Sequence, residues 1–194
     1  MKLSKKGEYA IRALIDLGIA AEVGRDLVQV TELAEHEKLP VKFLEQIMMV
    51  LKDGGLIKSQ RGKFGGYRLA QPAGKIIIGQ VVRMIDGPLA PIGCVSQTAY
   101  EKCSCPDETH CGLRMLMLDV RNAITNILDR YSLADVVAVT LRKMRRDGVP
   151  LPYSEPRRAT GSAGKGRKQE RSGHAARMQP VDGMINNILG DYAI

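Results

Sequence analysis

The sequence predicts a mainly α-helical protein with one small two-stranded β hairpin and one long late helix. Three observations carry that prediction. Apolar residues recur at helical spacing through most of the first 147 positions. Aromatic residues make up only 4% of the 194, with no Trp, so the core is aliphatic and suits packed helices better than a β-sandwich. The glycine-rich stretch RGKFGG lies between two short β-prone runs, which marks a hairpin.

Each element follows from local pattern. Residues 4–22 place Ala10, Ala13, Leu14, Leu17 and Ala21 on one face of helix one. The segment starts like a signal peptide, but Arg12 and Asp16 interrupt its apolar run, so it reads as a soluble amphipathic helix. Thr31 caps a short second helix that runs through Glu37. Pro40, at a first-turn position, opens a third helix with Leu44, Ile47, Met48 and Leu51 inward, stopped by Gly54 and Gly55. Residues 56–59 and 67–69 are the hairpin strands. A fourth helix over 79–86 ends at Gly87-Pro88.

A loop over 88–110 then holds most of the cysteines, and a fifth helix spans 112–130. Its Leu113, Met117, Val120, Ile124, Ile127 and Tyr131 alternate spacings of four and three, the seam of paired helices. The competing reading packs that seam against the same chain. Ser132 opens a sixth helix, with Asp135 completing a capping box and Val136, Val137, Thr140, Leu141 and Met144 as its apolar stripe.

The chain therefore divides into a helix-and-hairpin domain over 1–75, a cysteine loop with dimerisation helices over 76–147, a disordered basic linker over 148–180 and a short amphipathic segment over 181–194. No apolar run approaches the length of a membrane span, so no membrane partner is expected. Sparse but clustered cysteines exclude a secreted disulfide scaffold and fit a cytoplasmic metal site or redox switch. The absence of C-x-x-C argues against a thiol redox enzyme, and no enzymatic function is expected.

The formal net charge of +8 points to a polyanion, nucleic acid before any other. Around the hairpin, Lys52, Lys58, Arg61, Lys63, Arg68 and Lys75 face only Asp53. Three helices followed by a basic hairpin is the plan of a winged helix-turn-helix. A helix fits the major groove of double-stranded DNA, and a hairpin reaches the backbone or minor groove beside it. The inward set on the third helix leaves Val41, Lys42, Glu45, Gln46 and Met49 for the outer face. Gln46 can pair with adenine, Glu45 can accept from cytosine, and Arg61 can enter a narrow minor groove. Gly62, Gly65 and Gly66 let the backbone turn tightly and approach the duplex. A metal-stabilised interaction module with no sequence specificity is the alternative.

The segments SKKGEYAIRALIDLG, FLEQIMMVLKDGGLIKSQRGKFGGYRLAQP, IDGP and SLADV, with the cysteine loop between the last two, resemble the Rrf2 family of winged-helix transcription regulators over residues 1–145. RGKFGGYRLA is the most specific piece. Relatives include an iron–sulfur assembly regulator, a nitric-oxide-sensing repressor, a rhizobial iron regulator and a cluster-free repressor of cysteine metabolism. The resemblance implies a repressor that is a homodimer, with the fifth helix crossing its twin, on a pseudo-palindromic operator.

It also implies a cofactor. Sensor members hold a 2Fe-2S or 4Fe-4S iron–sulfur cluster with three Cys from this loop and one other ligand. Here the pattern is Cys94-x8-Cys103-x-Cys105-x5-Cys111. The last spacing matches the sensors, the first gap is longer, and Cys103 is extra. If the chain is extended there, Cys103 and Cys105 point the same way and both can reach one site. Glu8 stands where some relatives place an acidic ligand from the partner subunit, and His110 is a local competitor. Zinc, a thiol switch and no cofactor at all remain alternative readings.

Overall fold

The structure, a computed structural model, describes residues 2–154. Most of the basic linker and the whole 181–194 segment lie outside the described residues. Six α-helices and one hairpin occupy the described part: α1 (Lys5–Glu22), α2 (Val30–Glu37), α3 (Val41–Asp53), β1 (Ile57–Gln60), β2 (Gly66–Leu69), α4 (Ile78–Asp86), α5 (Gly112–Arg130) and α6 (Leu133–Arg146). None of these helices is long and apolar enough to cross a membrane.

α1 is the centre of the packing. Ala10, Ala13 and Leu14 are wholly buried on it, and α2, α3, α4, α6 and β2 all contact it. Small residues set the approach distances. A Cβ on Gly18 would lie 2.6 Å from Val137 Cγ2, so glycine admits α6 against α1. Ser4 caps α1 through the Gly7 amide at 2.9 Å, while its own N–H donates to Asp86 Oδ2 at 2.9 Å, tying the start of α1 to the end of α4.

Leu44, Ile47, Met48 and Leu51 are buried on α3, as the spacing predicts. Pro40 is the N-cap rather than a residue inside the helix, and its carbonyl accepts from Phe43 at 3.0 Å and Leu44 at 3.1 Å. The start of α2 differs more. Thr31 lies within the helix and Gln29 is its N-cap. Glu32, held by Arg25 Nη2 at 2.6 Å, accepts from the Gln29 N–H at 3.0 Å, so the acidic residue fixes the helix start.

The hairpin is antiparallel, pairing Ile57 with Leu69, Lys58 with Arg68, Ser59 with Tyr67 and Gln60 with Gly66. Its base is latched to the body by Val28. The Val28 N–H donates to the Tyr67 carbonyl at 3.1 Å, and the Tyr67 N–H donates back at 2.8 Å.

Ser132 and Asp135 form the expected capping box on α6, with the Ser132 N–H donating to Asp135 Oδ2 at 2.8 Å. Leu133, Val137 and Leu141 are its buried stripe. The chain after α6 is ordered sooner than its Pro-rich composition suggests. Residues 148–154 turn back, and Leu151 and Tyr153 pack against the core.

Candidate nucleic-acid interface and cysteine site

The outer face of α3 is free. Val41, Lys42, Glu45, Gln46 and Met49 are all exposed, and the four inward residues beside them hold the helix in the core. Lys58, Arg61, Lys63 and Arg68 are exposed along the hairpin, so the structure places helix face and basic wing on one short stretch of chain. Gly65 differs from its expected role as a contact. It is buried, its N–H donates to the Gly62 carbonyl at 2.9 Å, and a Cβ there would fall 2.2 Å from the Gln60 carbonyl oxygen. Gly65 shapes the turn. Gln29 Nε2 donates to the Lys63 carbonyl at 3.4 Å, a support for the wing tip that sequence reading missed.

All four cysteines line one cavity of about 320 Å³, together with Glu101, Lys102 and Arg114. Cys94 is buried, while Cys103, Cys105 and Cys111 are partly exposed, and all four are free thiols. Cys105 Sγ lies 3.8 Å from Cys111 Sγ. The extra cysteine, Cys103, lines the same cavity. The loop is closed by groups the spacing did not reveal. Glu108 accepts from Tyr100 Oη at 2.7 Å and pairs with Arg114 Nε at 3.2 Å. The same Arg114 Nε reaches the Cys94 carbonyl at 3.4 Å.

The thiols are not equivalent. Hydrogen bonds to Cys103 and Cys111 push Cys105 up to about 12. Cys111 is the N-cap residue of α5, and the amides of Arg114 and Leu113 lower its pKa by favouring the thiolate. Burial, then the neighbouring Cys103, raises Cys94. Four sulfur donors line one cavity, the donor type that soft metals and iron–sulfur clusters prefer.

Neither candidate fourth ligand lines this cavity. Glu8 pairs with Lys5 at 2.8 Å, whose ammonium holds its carboxyl below the ordinary range, and with Arg12 at 3.7 Å. His110 is largely exposed, with Nδ1 2.6 Å from Asp107 Oδ2.

α5 buries no residue completely. Leu113, Val120 and Ile127 are 56%, 37% and 52% exposed, and Met117 and Ile124 are half-buried. Leu116 and Met115, which the seam did not include, are exposed too. Tyr131 departs from the seam. It packs against this chain's own core, and its carbonyl accepts from the Ile78 N–H at 3.0 Å.

One polar cluster was not foreseen. Asp16, which interrupts the apolar run of helix one, is buried. It accepts from Tyr153 Oη at 3.0 Å and lies 3.0 Å from His36 Nδ1, beside Glu37, which pairs with Arg12. Burial raises Asp16 and Glu37 above their ordinary range. No helical periodicity signals this, because Tyr153 arrives from 137 residues away.

Comparison with known proteins decides the family. The Rrf2 family, described as iron-dependent transcriptional regulators, matches residues 3–139. The chain belongs to the Rrf2 family. An Rrf2-like HTH-type transcriptional regulator of Rhodobacter capsulatus is 36% identical over 140 residues, 70% of this chain and 92% of that protein. The HTH-type transcriptional regulator IscR of Aliivibrio salmonicida is 31% identical over 137 residues, 71% of this chain and 77% of that protein. Among solved structures, CymR, the global cysteine regulator of B. subtilis, superposes with a TM-score of 0.60 at 28% identity, covering 72% of this chain and 98% of CymR. The Rrf2 fold is a winged helix-turn-helix, and this Rrf2 chain is a DNA-binding transcriptional regulator rather than an enzyme.

Proposed function

We propose that this chain is a cytoplasmic, homodimeric repressor that holds an iron–sulfur cluster on its cysteine loop and couples the state of that loop to operator binding. The observation that carries the reading is the convergence of four thiols on one cavity at the start of α5, the helix with the uncovered apolar face.

On DNA, α3 enters the major groove with Lys42, Glu45 and Gln46 toward base edges, and Val41 and Met49 offer apolar contact. Lys58, Arg61, Lys63 and Arg68 grip phosphate and minor groove beside it. Leu113, Val120 and Ile127, with Met117 and Ile124, cover the same strip on a second copy. Two-fold symmetry then calls for a pseudo-palindromic operator.

Cys94, Cys105 and Cys111, joined by Cys103, would hold the cluster. When bound, the cluster supplies a centre whose stability depends on iron and redox state. Glu108 fastens the loop through Tyr100 and Arg114, and Cys111 passes any movement of the loop to the first turn of α5. The family's description as iron-dependent supports this reading. The 3.8 Å Cys105–Cys111 approach favours the second reading, a disulfide switch without a cofactor.

Anaerobic purification with an absorption spectrum and iron, sulfide and zinc analysis separates these. Visible absorption with matched iron and sulfide supports the cluster, and a Cys94→Ala, Cys111→Ala variant should lose both colour and effector response. Colourless, metal-free protein with four titratable thiols eliminates it.

A further inference from the structure

We propose that Phe64 is an apolar wedge that the wing inserts into the minor groove of the operator, deforming the duplex there. The proposal rests on the DNA-binding reading above and adds a determinant of operator shape to it.

The chain has two Phe, and the structure treats them oppositely. Phe43 is inside, edge-on to Tyr9 with ring centroids 5.8 Å apart. Phe64 is 64% exposed, the highest value among the exposed large apolar residues described. It sits at the tip of the wing, in the turn closed by the Gly65 N–H and the Gly62 carbonyl. Lys63 and Phe64 are the central pair of that turn, and both are exposed. The glycines around them make this placement. Gly62 adopts φ +115°, which a side chain rarely tolerates, and Gly65 has no room for a Cβ. Two flanking residues without side chains leave the tip narrow, with the ring and one ammonium as its leading groups.

The tip is also supported. Gln29 holds the Lys63 carbonyl, and the Val28–Tyr67 bridge latches the hairpin base. A ring on a propped hairpin can press on a partner.

Charge selects the partner. Lys63 Nζ lies 5.9 Å from the ring centroid, and Arg61 is exposed three positions before it in the same turn region. Those cations bring the tip to phosphates but do not require an aromatic residue between them. The minor groove, about 6 Å wide, excludes a helix but admits one ring edge-on. Apolar side chains entering there partly unstack a base step and bend the duplex toward the major groove. A basic, glycine-narrowed tip led by a phenyl ring meets these requirements. Flexible pyrimidine–purine steps, which deform at least cost, are the expected sequence under it.

The test uses the full chain. Wild-type protein selects its operator from a randomised duplex pool, and the selected duplex is labelled at both ends for bending by energy transfer. Affinity is read by anisotropy across a salt series. Phe64→Ala should keep the wild-type melting temperature, lose about tenfold in affinity and most of the bend, and leave the salt slope unchanged, because no charge is removed. Phe64→Leu should recover the bend. Lys63→Ala should do the reverse, lowering the salt slope by about one with the bend intact. Wild-type affinity and bend in Phe64→Ala overturn the proposal, as does loss of affinity that Phe64→Leu fails to restore. If wild-type protein selects no sequence at all, the operator reading itself fails, and the wedge with it.

Discussion

Replacing Gly66 by Ala should unlatch the wing from the helical body. The position opens β2 and faces the Val28 backbone. A Cβ there would lie 2.6 Å from the Val28 carbonyl oxygen, 2.9 Å from its carbon and 3.2 Å from its nitrogen. Normal carbon–oxygen contacts begin at about 3.3 Å, so backbone must move by roughly 0.7 Å. Nothing flexible stands in the way to absorb that shift, because all three neighbours are main chain. The bridge it would open consists of the 3.1 Å and 2.8 Å hydrogen bonds between Val28 and Tyr67. Adding 0.7 Å takes both to or beyond the length at which such bonds hold. Each contributes about 1 kcal/mol net, so the variant should lose about 2 kcal/mol.

For a unit of this size that corresponds to a melting temperature lower by about 4–8 °C. The larger effect should appear on DNA. A hairpin released at its base no longer presents Arg61 and Lys63 at a fixed distance from α3, and operator affinity should fall by about tenfold or more. Differential scanning fluorimetry and anisotropy on a selected operator check the two halves. Gly62→Ala is the contrast, since it strains φ +115° but meets no atom within 4 Å and leaves the bridge intact. If Gly66→Ala melts within about 1 °C of wild type and binds equally well, the latch does not set the wing, and the reasoning is wrong.

Three further predictions follow from other parts of the molecule. Ser132→Ala removes the cap of α6 and should cost about 1 kcal/mol by chemical denaturation, with the midpoint shifted and the m-value unchanged. Leu113→Lys with Ile127→Lys puts charge on the exposed strip of α5. It should yield a folded monomer by sedimentation, and a persisting dimer would exclude this face as the interface. Asp16→Asn tests the buried cluster with His36, Glu37, Tyr153 and Arg12 around it. Burial raises the Asp16 pKa in the folded state, so its contribution is full below the unfolded value of about 4 and is lost as pH rises through the raised value. Wild-type stability relative to Asp16→Asn should therefore decline with rising pH across that window, and a slope of opposite sign refutes the assignment.

The parts of the fold visible in the sequence are those set by local periodicity. Leu44, Ile47, Met48 and Leu51 need only a helix and one buried face, and all four are buried. Ser132 and Asp135 meet within a single turn, so their box is readable from spacing. RGKFGG betrays its turn because only glycine accepts the backbone found at Gly62 and the crowding at Gly65. What stayed hidden depends on partners distant in sequence. Asp16 looks like a surface charge until His36, Glu37 and Tyr153 close over it. Tyr131 keeps the four–three rhythm of the seam yet packs against this chain's own core, a contact that spacing alone does not show. Spacing raised the prospect that Cys103 and Cys105 share a site, but only the folded loop brings Cys94 to the cavity they line.

The way α5 is held gives the proposed coupling between the cysteine loop and the DNA-binding surface a physical route. The junction between its last turn and α6 is fastened three times: Arg83 Nη2 to Asp129 Oδ1 at 2.6 Å, the Ile78 N–H to the Tyr131 carbonyl at 3.0 Å, and the Leu133 N–H to the Ile76 carbonyl at 2.7 Å. Leu128 and Tyr131 add apolar packing at the same end. The first turn has a different support, the cysteine loop itself, through Cys111 and through Arg114 on Glu108 and the Cys94 carbonyl. A helix of 19 residues clamped at one end is about 28 Å long, so a change at the loop displaces the first turn most and the clamped end least. Its fixed end rests on α4, which packs on α1, and α1 carries α3 and the wing base. Movement of the free end therefore alters first the strip formed by Leu113, Met117 and Val120. In a dimer built on that strip, the spacing between two α3 helices responds before any contact within one DNA-binding domain has to break. On the proposed homodimer, chemistry at the cysteines would then set whether two half-sites can be engaged together, while each wing keeps its own grip.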